Sequence, residues 1–225
     1  MSRESAITLK SEMTDAEVFS IKNAIKNSKL TGLHIEIGTA AGGTLCEILK
    51  CYQNELKVVP PQFIIIDPLT YFDDQYEKIC LNLKINGLSQ NNITFEKNKS
   101  SVAFRNLSGH AGEIDFILID GNHKINHFVG DLRFSRYLKA GGLLLIHDYS
   151  NGFKGIHSAT NNFLNKYRNY EVLSHVDSLI VLRKKTETNI REVSKMDLLT
   201  SKLVNIYQQI SKSIHKRIFS NFLSS

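Results

Sequence analysis

Short apolar runs alternate along this chain with longer amphipathic stretches. Seven such runs predict β-strands: LHIEIG, FIIID, ITFE, DFILID, GGLLLIHD, YEVLSHV and SLIVLRK. The segments FIII and FILI are apolar at every position, which is typical of strands buried on both faces. Between the first two runs, GTLCEILKCYQNEL places Leu45, Ile48, Leu49 and Tyr52 on one helical face. The alternation predicts an α/β fold, in which right-handed crossovers build a mostly parallel, doubly wound sheet.

The last two apolar runs, YEVLSHV and SLIVLRK, are separated by little more than Asp177. That gap is too short for a crossover helix, so the runs are expected to pair as an antiparallel hairpin. The sheet is therefore predicted to be mostly parallel with an antiparallel edge, and the last strand to be antiparallel. A helix is expected near residues 155–167.

Helical segments are predicted at both ends of the chain. Met13, Val18, Ile21 and Ile25 are roughly in phase for an N-terminal helix. A long C-terminal helix is expected to carry one apolar stripe. Its members are Ile190, Val193, Met196, Leu203, Tyr207, Ile210 and Ile214. We divide the chain into an N-terminal helical cap (1–30), a central domain (31–185) and a C-terminal amphipathic extension (186–225).

Composition sets broad limits on the protein class. The 225 residues suffice for one large domain, and a hydrophobic fraction of 42% is ordinary for a globular protein. No apolar run approaches the ~18 residues that span a bilayer, and the N-terminus does not resemble a secretory signal, so a cytoplasmic location is expected. The three cysteines, Cys46, Cys51 and Cys80, form no Cys-x-x-Cys pair and are interpreted as reduced thiols.

The net charge of +6 is mild, and part of it lies in the C-terminal segment, where Lys212, Lys216 and Arg217 have no acidic neighbours. This amphipathic segment could contact a membrane surface, bind a second subunit or cover the sheet edge. Burial against protein is favoured because most apolar helical stripes are buried. A homo-oligomer is therefore expected, with peripheral membrane contact as the alternative.

A glycine-rich turn, EIGTAAGGTL, follows the first predicted strand. Gly38, Gly42 and Gly43 permit a sharp turn and a close approach of the backbone to a ligand, and a helix starting near Thr44 would direct its N-terminal amides at that ligand. The spacing differs from the dinucleotide fingerprint. Glu36 inside the strand end would repel phosphate and suits an amine or hydroxyl instead. A tight structural turn is the alternative interpretation.

The second predicted strand ends in Asp67, followed by Pro68. In doubly wound folds, an acid at this position hydrogen-bonds the ribose hydroxyls of a nucleotide-like ligand. The glycine-rich turn and this acid stand at the right relative positions, so together they predict a nucleoside-binding cleft.

Polar side chains also end the fourth and fifth predicted strands. Asp120 and His123 follow one apolar run, and His147 and Asp148 end the next. Neighbouring parallel strands lie ~4.8 Å apart, so these groups can converge on one ion. Carboxylates suit Mg²⁺, and an imidazole shifts the preference toward Mn²⁺, Fe²⁺ or Zn²⁺. The alternative is that the acids cap helices and His147 fills space.

The segment from about Leu33 to Lys184 resembles the class I S-adenosylmethionine-dependent methyltransferases. The resemblance is carried by EIGTAAGGT, which looks like their first motif, and by Asp67, which looks like their ribose-binding acid. The resemblance implies a Rossmann-like seven-stranded sheet and S-adenosylmethionine as cofactor. Its implied cofactor-binding residues are Glu36, Gly38, Thr39, Ala40, Gly42, Gly43, Thr44, Asp67, Ser100 and Asp120. Ser100 matches the position near the adenine, although this chain has Asn98-Lys99-Ser100 where relatives often have Gly-Asp/Asn-Ser.

The pattern IDGNH…DL…YLKAGGLLLIHDY is similar to the metal-dependent O-methyltransferases, which include catechol and macrolide-sugar enzymes. This similarity implies catalytic roles for Asp120 and for His123 as general base. It also implies that Asp120, His147 and Asp148 bind a divalent metal such as Mg²⁺ or Mn²⁺, although many relatives carry an acid at the position of His147.

Two residues near this motif are interpreted as structural. If HKINHFVGDLRF is helical, His123 and His127 share a face one turn apart. His127 is then a helix-surface or packing residue, because the glutamate of a zinc protease motif is missing. Asp131 is interpreted as a solvated acid.

The favoured function is methyl transfer to a hydroxyl of a sugar or another small polyol. A metal-independent N- or carboxyl-methyltransferase and a non-catalytic cofactor-binding scaffold are the alternatives. A nucleic-acid partner is not expected, because the charge is modest and no Asn-Pro-Pro-Tyr-type motif follows the fourth strand. The glycine spacing and Glu36 disfavour a hydride-transfer enzyme.

Overall fold

The computed structural model describes residues 9–187 and 192–222, without the side chains of 212–222. The seven strands are β1 (Leu33–Ile37), β2 (Phe63–Ile66), β3 (Ile93–Glu96), β4 (Ile114–Ile119), β5 (Leu138–Ile146), β6 (Tyr170–Val176) and β7 (Leu179–Lys184). The helices are α1 (Asp15–Lys26), α2 (Gly43–Lys50), α3 (Gln75–Ile85), α4 (Ser100–Asn106), α5 (Ile125–Asp131), α6 (Lys154–Lys166) and α7 (Lys195–Phe222). A π-helical turn, Cys51–Glu55, extends α2.

One sheet contains all seven strands in the order β3-β2-β1-β4-β5-β7-β6. The first five strands along the chain pair in parallel, and β7 is antiparallel to both β5 and β6. The predicted Rossmann-like, doubly wound sheet is confirmed. The antiparallel last strand is also confirmed: β7 lies between β5 and β6, and the β6–β7 hairpin forms one edge of the sheet.

The sheet separates two hydrophobic cores, which explains why its central strands are apolar at every position. Ile117, Ile119 and Ile146 pack on one face with α4, α5 and α6, and Phe116 and Leu118 pack on the other with α1, α2 and α3. Successive side chains of a strand point to opposite faces, so each run supplies both cores. Cys46 and Cys51 are buried, Cys80 is half-buried, and all three thiols are free, as predicted.

The carboxyl ends of the central strands lie in register. Beyond the ladder, Gly38 donates its N–H to Ile66 O, Asp120 to Ile37 O, and His147 to Ile119 O, over distances of 2.9 to 3.0 Å. The residues that follow β1, β4 and β5 therefore stand side by side on one edge of the sheet.

Helix α1 docks on the β6–β7 hairpin, and its N-terminus reaches the same edge. Thr14 and Glu17 form a capping box, in which Thr14 Oγ1 accepts from the Glu17 N–H and Glu17 Oε2 accepts from the Thr14 N–H. Glu17 Oε1 also accepts from the backbone N–H and the hydroxyl of Ser178, in the hairpin turn. The predicted N-terminal helix is confirmed.

The long C-terminal helix, α7, is confirmed, but it packs through a different face from the predicted stripe. Leu198 and Val204 pack against the core. By contrast, the stripe residues Met196, Leu203 and Tyr207 are 67%, 60% and 72% exposed. Val193, the stripe member just before α7, is 3% exposed and lies in the core, so only the part of the stripe on α7 is open. The burial of that part in a homo-oligomer stays a prediction.

The remaining C-terminal predictions fall on residues that the structure does not describe. Ile190 lies outside the described residues, as do the side chains of Lys212, Ile214, Lys216 and Arg217. Within the described ranges, no helix combines the length and apolarity needed to cross a membrane. The division of the chain at residues 30 and 185 stays a prediction.

A buried polar network lies near the opposite end of the sheet, at the start of β4. Asp115 Oδ2 accepts from the N–H groups of Thr31 and Gly32, and Lys139 Nζ lies 3.1 Å away. Its Oδ1 lies 3.2 Å from His34 Nδ1. Burial would raise the pKa of Asp115, but the hydrogen bonds from His34 and Gly32 outweigh burial and hold it below the usual value.

Asp115→Asn should lower the free energy of unfolding by about 3 kcal/mol at pH 7, because it removes one partner of a buried charge network. A lowered pKa contributes stability above the unfolded pKa of 3.8, and this contribution is lost as pH falls through the folded value. The deficit should therefore shrink at pH 3. Urea denaturation at both pH values measures it, with exposed Asp73→Asn as control. An equal loss of unfolding free energy at both pH values would contradict the assignment of a negative charge to Asp115 in the folded protein.

Candidate active site

A cavity of about 520 Å³ opens at the carboxyl edge of the sheet, beside the ends of β1, β2 and β4. Nine of the residues implied for the cofactor line it: Glu36, Gly38, Thr39, Ala40, Gly43, Thr44, Asp67, Ser100 and Asp120. The tenth, Gly42, faces Ile79 of α3. Nine of the ten residues that the sequence implied for cofactor binding therefore line one cavity.

The glycine-rich turn brings the backbone close to its neighbours at two points. Gly38 has a φ of +82°, and a Cβ there would collide with the carbonyl of Asp120. A Cβ on Gly43 would collide with the backbone of Lys10 and Ser11, which crosses over the start of α2. Helix α2 begins at Gly43, next to Thr44 as predicted, and the Thr44 hydroxyl hydrogen-bonds to the Ser11 hydroxyl at 2.7 Å. The segment before α1 therefore covers the turn.

Two buried acids stand on opposite sides of this turn. Asp67 Oδ2 accepts from the N–H of Thr39 at 3.0 Å, and Oδ1 accepts from that of Leu69 at 2.7 Å. Glu36 is 1% exposed, and its Oε2 has no hydrogen-bond partner among the described residues. Burial, followed by the charge of Asp120, raises the pKa of Glu36 to about 8.

The ends of β4 and β5 bring together the three predicted metal ligands. Asp120, His147 and Asp148 each offer a ligand atom within 4.8 Å of the others. His147 Nδ1 donates to Asp120 Oδ1 at 2.8 Å and lies 3.7 Å from Asp148 Oδ2. Its Nε2 lies 3.5 Å from Glu17 Oε2. Asp148 has a φ of +60°, in the left-handed region that aspartate adopts more readily than most other side chains.

These carboxylates determine the charge of His147. Burial lowers the pKa of His147, but the hydrogen bond to Asp120 and the negative charges of Asp120, Asp148 and Glu17 outweigh it and raise the pKa to about 9. The electrostatic field of these carboxylates at His147 therefore favours a positive charge. Two carboxylate oxygens and, once His147 has given up its proton, one imidazole nitrogen form a donor set that fits a divalent ion.

His123 lies in the loop between β4 and α5. Its Nε2 is 2.7 Å from Asp148 Oδ2, its side chain is 51% exposed, and its ring packs on Phe153 with centroids 4.6 Å apart. The expectation that His123 and His127 share a helical face was wrong, because α5 begins only at Ile125. His127 is exposed on α5, as predicted for a helix-surface residue, and it also lines the cavity.

Sequence reasoning missed two acids at this site. Glu17 reaches His147 from α1, and its capping-box spacing with Thr14 signals a helix start but not a site. Asp131 was interpreted as solvated, but it is 3% exposed and lines the cavity. It is the last residue of α5.

Residues 35–149, about half of the chain, match the family model of a methyltransferase domain. The chain belongs to this family and is an S-adenosylmethionine-dependent methyltransferase. No curated protein matches it.

Solved structures share its fold at low sequence identity. A protein from Corynebacterium glutamicum is 13% identical with a TM-score of 0.60, over 80% of this chain and 86% of that chain. CalS11, a TDP-rhamnose 3′-O-methyltransferase of calicheamicin biosynthesis, is 13% identical with a TM-score of 0.58, over 74% and 77%. An O-methyltransferase from Bacillus cereus, in complex with S-adenosylhomocysteine, is 12% identical with a TM-score of 0.55, over 77% and 83%.

The cavity fits the chemistry of S-adenosylmethionine. Glu36 and Asp67 both line the cavity, and Asp67 lies where ribose hydroxyls are bound in doubly wound folds. Gly38 has no side chain, so the backbone of the loop stays accessible to a ligand. The role of each residue in binding stays a prediction.

Glu36→Gln should raise the melting temperature at pH 9 and leave it nearly unchanged at pH 4. A carboxyl whose pKa is raised from 4.5 to about 8 in the folded state stabilises the fold at low pH, and this contribution is lost as pH rises through 8. The neutral amide avoids that loss. Thermal melting without cofactor measures the effect, with exposed Glu113→Gln as control. An equal change at both pH values would show that Glu36 does not bind its proton this tightly.

Proposed function

We propose that this methyltransferase transfers the methyl group of S-adenosylmethionine to a hydroxyl of a sugar or another small polyol, with His123 as general base and a divalent metal as assistant. The observation that carries the proposal is the convergence of Asp120, His147, Asp148 and His123 at the mouth of the cofactor cavity. N- or carboxyl-methylation would need neither the metal set nor the base.

The surroundings of His123 support a polyol acceptor. Phe153 is 36% exposed beside His123 and offers an apolar face to a sugar ring, while the carboxylates and the imidazole offer hydrogen bonds to its hydroxyls. CalS11, which shares the fold, is a sugar O-methyltransferase. We therefore propose nucleotide sugars as the first acceptors to test.

In this proposal, His123 transfers the proton, and the residues around it hold it and the acceptor in position. His123 donates Nε2–H to Asp148, so its Nδ1 lone pair can take the proton of an acceptor hydroxyl. Asp148 then stabilises the imidazolium and keeps the ring oriented. The acceptor oxygen attacks the sulfonium methyl carbon, the carbon–sulfur bond breaks, and a methyl ether and S-adenosylhomocysteine result. Asp120, His147 and Asp148 would hold the metal, which supplies Lewis acidity that lowers the pKa of the acceptor hydroxyl.

His123→Ala should lower kcat by about 10²- to 10⁴-fold, because it removes the general base. Affinity for S-adenosylhomocysteine should change less than about twofold, because the loss is confined to the acceptor side. Formation of S-adenosylhomocysteine with a panel of nucleotide sugars measures the rate, and calorimetry measures the affinity. The control is His110→Ala, an exposed histidine paired with Glu113. Full activity of His123→Ala would exclude the base.

Asp148→Asn should weaken Mn²⁺ binding by at least about tenfold, because it removes a carboxylate ligand from the set. The paramagnetic resonance signal of free Mn²⁺ measures the affinity directly, and Glu113→Gln is the control. Activity should also disappear in chelator and return with Mn²⁺ or Mg²⁺. Chelator-insensitive activity would instead favour the metal-independent N- or carboxyl-methyltransferase.

A further inference from the structure

The outer face of α7 carries the largest group of exposed apolar side chains in the described part of the chain. Together they present on the order of 600 Å² of surface, which is the upper end for an apolar patch on a typical monomer, and patches of this size mark interaction sites. Each of the six is more than half exposed. They are Met196, Leu199, Leu203, Ile206, Tyr207 and Ile210.

The spacing of these residues indicates what kind of surface covers them. Met196, Leu199, Leu203, Ile206 and Ile210, which we call the α7 seam, follow one another at intervals of three, four, three and four residues. These are the a and d positions of a heptad repeat. A stripe of a and d positions alone is narrower than the apolar face of a helix that lies on a flat surface, and it fits the groove of another helix. The α7 seam therefore favours a helical partner over a lipid surface.

The inner face of α7 fixes the orientation of the helix. Leu198 and Val204 pack against the hydrophobic core that contains α5 and α6. Near the start of α7, Lys166 Nζ donates to both carboxylate oxygens of Asp197 at 2.8 Å. Because these contacts hold the opposite face against the domain, α7 cannot turn over and bury the seam within its own chain.

The partner helix can be identified by comparing α7 with the other helices. Among the residues that the structure describes, the exposed large apolar side chains of the other helices are Phe19 on α1 and the pair Leu81 and Ile85 on α3, and they show no heptad spacing. The matching seam is therefore α7 of a second copy. A patch that pairs with itself closes around a twofold axis, which is the commonest symmetry of oligomers. Two such patches bury on the order of 1,200 Å² in total, the lower limit of a stable interface.

We propose that two copies of this chain form a dimer in which the α7 seams pack against each other as in a coiled coil. This surface differs from the stripe predicted from the sequence, because it omits Val193, which is buried in its own chain, and adds Leu199 and Ile206. The inference goes beyond the proposed function and does not depend on the acceptor, the cofactor or the metal.

Sedimentation equilibrium of the full chain tests the dimer. The wild-type protein should have twice the chain mass of 25.5 kDa at micromolar concentration. The double variant Leu203→Glu, Ile206→Glu should be monomeric, with a dissociation constant raised at least about hundredfold, because the pair would bring four carboxylates together. A wild-type protein that is monomeric at every concentration, or a double variant that remains dimeric, would overturn the proposal.

The matched control is Leu81→Glu with Ile85→Glu, which places the same charges on an exposed apolar pair of α3. This variant should remain dimeric, and loss of the dimer here would overturn the assignment to α7. Circular dichroism should show wild-type helix content for both double variants, since their substituted side chains are exposed in the single chain. Leu203→Ala with Ile206→Ala should weaken the dimer less, and it replaces the glutamate variant if that variant does not fold.

A lipid surface is the other possible partner, because Lys195 and Lys202 lie exposed on the same helix and would face anionic headgroups. Cosedimentation with vesicles of phosphatidylserine and phosphatidylcholine separates the two partners. The dimer predicts that the wild-type protein stays in the supernatant. A monomeric wild-type protein that binds these vesicles, and loses the binding through Leu203→Glu with Ile206→Glu, would assign the α7 seam to a membrane and overturn the proposal.

Discussion

The close, in-register approach of β1, β2, β4 and β5 is the constraint on which the rest of the site depends. Because each strand end hydrogen-bonds to the one beside it, the polar residues that follow the strands are placed about one strand spacing apart. Gly38 is indispensable to this arrangement, since any side chain there would push against the carbonyl of Asp120. The glycine-rich turn after β1 and Asp120 after β4 are therefore in direct backbone contact.

The fold could be predicted largely because its strands are buried on both faces, and FIII and FILI record that burial directly. The place of β7 could not be predicted in this way. Its pattern indicates pairing with β6, but which strand of the hairpin pairs with β5 depends on long-range contacts. The residue at which α5 begins could not be predicted from the sequence pattern either. Asn122 Oδ1 accepts from the N–H of Lys124, and this local turn delays the helix and keeps His123 in the loop.

The candidate site could be predicted where its residues end strands, because a parallel sheet brings such ends together. Asp67, Asp120 and His147 are of this kind. Glu17 and Asp131 belong to helices, and their positions depend on docking. The contact of Glu17 with Ser178 joins residues 161 positions apart. Helical periodicity identifies an apolar face, but it does not decide which partner covers it. For this reason α7 packs through Leu198 and leaves Met196 exposed.

The turn between β6 and β7 has a further consequence for how such a site can diversify. It lies at the same edge as the strand ends and contacts Glu17 through Ser178, yet it lies outside the glycine-rich turn and the end of β2. An insertion or deletion in this turn moves the start of α1 relative to His147. Evolution can thereby reshape the side of the cleft next to His147, while the glycine-rich turn and the strand ends keep their geometry.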